Sequence, residues 1–198
     1  AAKWIILQDL TYNFTLHGNN AVLYCIAGTP TDGFLQIINC VDDFVTGSFH
    51  IYGMDNTNYS SIVRMNAING TAQACTRISL ENITVRRASN VTWPLWIGSV
   101  DSPWQCSEIN IENFRTFQCP LGVRGSGAQS GASFINCNIV SEENPAFPGT
   151  PYRTILYEGG FWYSTGGELV QPSASAGNTA IEMRPASNAK IGRASCRE

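Results

Sequence analysis

Glu81 and Glu112 hold the same place in two short segments, LENI at Leu80–Ile83 and IENF at Ile111–Phe114. If the two segments lie on adjacent parallel strands, both carboxylates project outward in one column, with backbones about 4.8 Å apart. That spacing can bring the carboxyl groups to the ~5–5.5 Å of retaining glycoside hydrolysis, where one attacks and the other protonates the leaving group. The same residues can equally form a solvated stack, relieved by Arg86, Arg87 or Arg115. Asp42 and Asp43, in VDDF, form the second carboxylate pair and the remaining catalytic candidates. A lyase reaction would instead need an Arg or Lys base, such as Arg64 or Arg115, and usually a carboxylate-bound Ca2+. Outside that case no cofactor is expected.

Aromatic residues suggest binding rather than cleavage. Trp93, Trp96 and Trp104 fall within twelve residues of a loop-rich stretch, VTWPLWIGSVDSPWQC. Flat rings on a rigid scaffold can cover the CH faces of sugars while neighbouring amides and carboxylates bind hydroxyls. Trp93 and Trp104 are the expected sugar contacts, and Trp96, in the alternating run LWIG, is the one expected to belong to the core. Phe161, Trp162 and Tyr163 form a second group, with Trp162 assigned to substrate; for each ring the alternative is packing beneath a loop. A metal site is not expected, because the chain has two histidines, His17 and His50, and neither an HExxH nor a CxxC pair. GxSxG and P-loop lysine motifs are also absent.

The elements that must position these residues read as strands. No window keeps apolar residues at i, i+3, i+4 and i+7 for three turns, and short alternating runs bounded by Asn, Gly, Ser and Thr dominate instead. One template recurs: apolar, any residue, small polar or Cys, apolar. It starts at Leu7, Ile38, Leu80, Ile111 and Phe134, with spacings of 31, 42, 31 and 23. Such irregularity suits a solenoid with fixed strands and variable loops. An ordinary β-sandwich is the competing architecture, but its turns should come every 8–12 residues. The third template position, Asp or Asn in four of the five, suits a sharp corner in the left-handed region. Stacked corners would let Asn side chains turn inward and hydrogen-bond in a ladder. Cys40 and Cys137 fall on inward positions as small apolar groups, and the cysteines are read as mostly free thiols.

LENITV, INIENF and FINCNI resemble coils of the right-handed parallel β-helix of pectin-lyase-like proteins, a group that includes polysaccharide lyases, hydrolases and bacteriophage tail spikes. The resemblance spans about Trp4 to Met183 and is strongest between Ile78 and Val140. It implies an all-β, single-stranded right-handed parallel β-helix, incomplete at one or both ends. Paired aspartates such as Asp42 and Asp43 occur in pectin-degrading hydrolases of this fold, but the NTD, GHG and RxK motifs that accompany them are absent.

The chain of 198 residues carries 14% charged residues and a net charge of −3, with no basic run, so neither disorder nor nucleic-acid binding is expected. Its longest apolar stretches, WIIL and AVLYCIA, fall short of a membrane span. Residues 1–190 are read as one β-helix domain. IGRASCRE, at 191–198, reads as a sequencing-adapter end (ATC GGA AGA GCG TCG TGT AGG GAA) translated in one frame. Removing its two arginines and one glutamate would take the net charge from −3 to −4 and the cysteines from seven to six.

The leading expectation is a virion tail-spike-like protein that binds cell-surface polysaccharide and can cleave it, on the virion surface or extracellular. Members of this type imply a homotrimer. The alternatives are a secreted polysaccharide lyase or hydrolase and a non-catalytic surface adhesin.

Overall fold

The fold is described by a computed structural model for residues 5–10, 14–26, 33–66, 75–98, 106–126, 131–158, 161–170 and 178–183. The strands are β1 (Ile5–Gln8), β2 (Thr15–Tyr24), β3 (Leu35–Ile38), β4 (Val41–Tyr52), β5 (Ser61–Asn66), β6 (Thr76–Arg86), β7 (Trp93–Ile97) and β8 (Ser107–Glu112). They continue with β9 (Arg115–Phe117), β10 (Leu121–Ser126), β11 (Gly131–Ile135), β12 (Asn138–Val140), β13 (Arg153–Glu158), β14 (Phe161–Thr165), β15 (Glu168–Val170) and β16 (Thr179–Met183). No helix occurs among the described residues, and none there is long and apolar enough to cross a membrane.

Every strand pairing is parallel, and strands that are neighbours in a sheet are separated in sequence by nearly a full coil. Sheet A runs β1-β3-β5-β7-β10-β13-β16, and its residues Ile5, Leu35, Val63, Leu95, Val123, Ile155 and Ile181 fall in one row. The chain therefore returns to the same place every 26 to 32 residues, which makes the fold a parallel β-solenoid. Sheet B begins with the long strands β2, β4 and β6 and then divides. The first half of β6 pairs with β8 and leads to β11 and β14; its second half pairs with β9 and leads to β12 and β15.

The division lies at a corner that every one of these coils bends through. Ser48, Asn82, Asn113 and Asn136 occupy it with φ of 59°, 54°, 54° and 53°, and Gly166 and Gly167 take the same corner in the next coil, with φ of 65° and 74°. Residues with short polar side chains tolerate this region best after glycine. The expected template therefore marks real corners, with two corrections. Asp9 and Asn39 stack at a different corner, where the chain leaves sheet A, so the spacing of 42 joined two separate ladders. In that first ladder the left-handed residue is Asn39, φ 51°, one place before Cys40.

The ladder itself is present. Asn39 Nδ2 donates to Asp9 Oδ1 at 3.1 Å, and Asn113 Nδ2 donates to Asn82 Oδ1 at 3.1 Å. Asn39, at the corner where the chain leaves sheet A, is buried. At the sheet B corner Asn113 is half-buried and Asn82 and Asn136 are exposed, so that ladder runs along the outside of the corner and not inward. The next residue turns in instead, as Ile83, Phe114 and Cys137 do. Asn113→Val should therefore lower stability by about 2–3 kcal/mol, from roughly 1–2 for a branched residue at positive φ and roughly 1 for the lost hydrogen bond. Asn113→Gly, free of the conformational cost, should lose no more than about 1 kcal/mol. Urea titration of both variants checks this, and equal losses would remove the corner explanation.

The interior is one apolar column. Leu35, Ile37, Ile51, Val63, Met65, Ile78, Leu80, Ile83, Leu95, Ile111 and Phe114 are all 0–1% exposed. Each such aliphatic side chain is worth about 1.5–3 kcal/mol on burial. The six described cysteines are free and buried. Three of them follow a left-handed residue, and each donates its S–H to carbonyls of its own coil and the coil before. Cys40 Sγ lies 3.4 Å from the oxygens of Ile38 and Leu7, and Cys137 Sγ lies 3.4 Å from those of Ile135 and Ile111. Cys119 makes the same pair of contacts with Phe117 and Val85, at 3.2 and 3.8 Å.

Candidate functional site

Alternation along β6, β8 and β11 sends Ile78, Ile109, Leu80, Ile111 and Phe134 into the core. The residues between them face the other way and, because the coils are in register, line up in rows. One row is Ser79–Asn110–Ser133, whose members are all half-buried. Ser133 Oγ donates to Asn110 Oδ1 at 3.0 Å, which joins two members of the row. Beside it runs Gly47–Glu81–Glu112–Ile135.

Glu81 and Glu112 are thus direct neighbours on adjacent coils, both half-buried, as their shared place before a corner asparagine requires. Two of the three arginines considered as their neutralising neighbours are engaged elsewhere. Arg86 lies over the Phe117 ring at 4.7 Å, and Arg87 pairs with Asp55, whose carboxylate also accepts from Asn144 at 2.8 Å. Arg115 is exposed on β9, past the corner, next to Thr84 in register.

Asp42 and Asp43 lie in β4 where the register with β6 shifts between Val41 and Phe44. Two residues there face one, Arg77, across the ladder, which is a β-bulge. Their side chains lie outside the described ones. The backbone places the pair four to five residues before Gly47, so it does not share a row with Glu81 and Glu112.

The tryptophans are dispersed. Trp93 sits in sheet A, paired with Ser61, and is 6% exposed in a cluster with Leu121 and Leu156. The open ring face expected of it is covered by its own neighbours, and Trp96 packs against the same cluster. Trp96 is half-buried rather than part of the interior core. The guanidinium of Arg64, from the preceding coil, lies 3.7 Å from its ring centroid, and that of Arg124, from the next coil, lies 3.9 Å away. Trp96 Nε1 donates to Ser126 Oγ at 2.8 Å, and Arg124 forms an ion pair with Glu158 at 2.7 Å. Trp104 lies outside the described residues. Trp162 pairs with Ala132 through its backbone, and its side chain, like those of Phe161 and Tyr163, lies outside the described ones.

The sequence reading missed a second outward row, on the far side of the corner. Tyr24, Tyr52, Arg86 and Phe117 are consecutive in register. The two tyrosine rings stack with centroids 5.4 Å apart and planes at 26°, and Arg86 caps Phe117. Each of these residues ends its strand just before Cys25, Gly53, Arg87 or Gln118, and that position was the available signal. Next to it run His50, Thr84, Arg115 and Asn138.

The rows on the two halves of sheet B present hydroxyl, amide, carboxylate and aromatic groups at a repeat of about 4.8 Å. Among the described residues no group of three or more His, Cys, Asp and Glu could hold a metal ion. No protein-family model, curated protein or solved structure matches the chain.

Proposed function

We propose that the outer face of sheet B binds a polysaccharide, and that the chain is part of a glycan-binding shaft of the virion tail-spike kind. The observation that carries the binding reading is the in-register pair Glu81–Glu112 beside the row Ser79–Asn110–Ser133. Carboxylates accept hydrogen bonds from sugar hydroxyls strongly, and each charged hydrogen bond is worth about 1.5–3 kcal/mol. A rigid row of such groups costs little ordering on binding. The spike setting, with its homotrimer and its virion-surface or extracellular location, comes from the resemblance of LENITV, INIENF and FINCNI to β-helix coils.

The same pair supports depolymerisation as a second reading, because glutamates in register on neighbouring coils, with backbones about 4.8 Å apart, can bring their carboxyl groups to the ~5–5.5 Å of a retaining mechanism. In that reading one glutamate attacks the anomeric carbon and the other protonates the departing oxygen.

A glycan panel tests both. Glu81→Ala with Glu112→Ala should weaken binding of the recognised polysaccharide at least tenfold, about 1.4 kcal/mol, with unchanged far-UV circular dichroism. Failure of the unaltered chain to bind any polysaccharide would end the proposal. Glu81→Gln with Glu112→Gln should abolish release of reducing ends from a cleaved glycan; undiminished release would remove the catalytic reading and leave binding standing.

A further inference from the structure

Three buried cysteines stand in one column. Val41 pairs with Thr76 and Thr76 with Ser107, so the residues just before them, Cys40, Cys75 and Cys106, are stacked on successive coils. The backbone confirms the stack: Thr76 N–H donates to Cys40 O and Ser107 N–H donates to Cys75 O, both at 3.0 Å. Neighbouring α-carbons on adjacent coils are about 4.8 Å apart. This falls inside the range of about 4.4–6.8 Å that a disulfide spans without moving the backbone.

The other described cysteines have no such neighbour. Cys119 is in register with Ser141, and Cys25 N–H donates to the carbonyl of Tyr52, the residue before Gly53. Cys137 lies against Gly167. Within the column the two gaps differ. Cys40 directs its thiol to the carbonyls of Leu7 and Ile38, and Cys75 directs its own to those of Ile37 and Asn66, at 3.4 and 3.2 Å. The Cys75 and Cys106 thiols also lie within side-chain interaction range of each other, the closer coupling of the two gaps.

We propose that Cys75 and Cys106 form a disulfide that clamps the β5–β6 coil to the β7–β8 coil when the chain meets a disulfide oxidant. The Cys106 thiolate attacks one sulfur of the oxidant, forming a mixed disulfide and expelling one thiolate. Cys75, deprotonated, then attacks the Cys106 sulfur and expels the second. Two protein thiols lose two electrons and two protons, and the oxidant's disulfide is reduced to two thiols. Cys106 is the better attacker, because its interaction with the Cys75 thiol holds it below the ordinary thiol range and the Arg64 charge acts in the same direction. Both residues are fully buried, so exchange requires local opening of the coil, or takes place before the coil closes during folding.

The experiment uses the full chain with glutathione disulfide, applied once to the native protein and once during refolding from denaturant. Remaining thiols are alkylated and the peptides mapped by mass spectrometry. One crosslink, Cys75 to Cys106 and lighter by two hydrogens, is expected, formed much faster during refolding. The oxidised chain should melt about 5–10 °C higher, an increment removed by a reducing agent. Cys40→Ala should leave the crosslink in place, and Cys106→Ala should eliminate it. If Cys106→Ala does not fold, the map of the unaltered chain decides alone. A dominant Cys40–Cys75 crosslink, a scrambled mixture, or no crosslink after refolding would overturn the proposal.

Discussion

Between pH 9 and pH 11 the chain should unfold, losing at least about 6 kcal/mol of stability over the two units. Burial pushes the Cys119 thiol up to about 12 and the Cys40 thiol up to about 11, and it raises Cys25 still further, from an ordinary 9.0. All three are 0% exposed. In the folded chain Cys25 and Cys119 keep their protons through this range and Cys40 keeps its own until close to pH 11, while in the unfolded chain all three release them above pH 9. Their contribution is therefore complete below pH 9 and drains away as the pH rises toward the folded values. Each differing proton changes stability by at most about 1.4 kcal/mol per pH unit, so these three together approach about 4 kcal/mol per unit. Cys75 and Cys137, whose thiols are raised too, steepen the loss. A domain holds only about 5–15 kcal/mol in all.

Cys106 does not offset the loss. Its folded value is lowered by its interaction with the Cys75 thiol, so what it adds is already fully present above pH 9 and stays constant there. Denaturant titrations at pH 8, 9, 10 and 11 read the slope directly. Cys119→Ala should flatten it by about one fifth, whatever the substitution does to stability at pH 8. A stability that does not change between pH 9 and 11 would contradict burial of these thiols.

The thiols also show which parts of the fold could be read in advance. Cys40 and Cys137 were expected at inward positions, and they are there because a left-handed residue precedes each. That local rule also located the glutamates. Asn82 and Asn113 form the same corner in adjacent coils, so whatever precedes each of them must share a row. Register does the rest, without any knowledge of loop length.

Features that depend on which corner is which were not legible in this way. LQDL and LENI look alike as strings, yet one leaves sheet A and the other bends within sheet B. Whether Asn39 or Cys40 carries the positive φ depends on tertiary context. The tryptophans fail for a related reason. A ring in a Pro-containing stretch such as TWPLW can lie open or be covered, and what covers Trp93 is Leu121 from the next coil and Leu156 from the one after. The stack of Tyr24, Tyr52, Arg86 and Phe117 joins residues 28 to 34 positions apart at unequal steps, so no fixed period reveals it.

Gly47→Ala should be the most damaging single methyl in the described sheet, and it should disturb the glutamate row as well as the fold. Gly47 lies opposite Glu81 in the ladder. A Cβ on it would stand 1.9 Å from the Glu81 carbonyl oxygen, 2.8 Å from the carbonyl carbon and 3.0 Å from the amide nitrogen. All three atoms are backbone, held on their other side by pairing of β6 with β8, so no rotamer change relieves the contact. Overpacking that flexible side chains can absorb costs about 1–3 kcal/mol. With only a strand to displace, the loss should reach the top of that range, about 3 kcal/mol. The displaced strand carries Glu81, so its separation from Glu112 changes too, and polysaccharide binding should fall with stability. Gly149→Ala separates the two effects. Its φ of +72° makes alanine strained, but nothing lies within 4 Å of the new methyl. It should cost about 1–2 kcal/mol and leave binding at the glutamate row unchanged. Denaturant midpoints and glycan affinities of both variants test this together; an unshifted midpoint for Gly47→Ala would mean that β4 and β6 are not packed in this register.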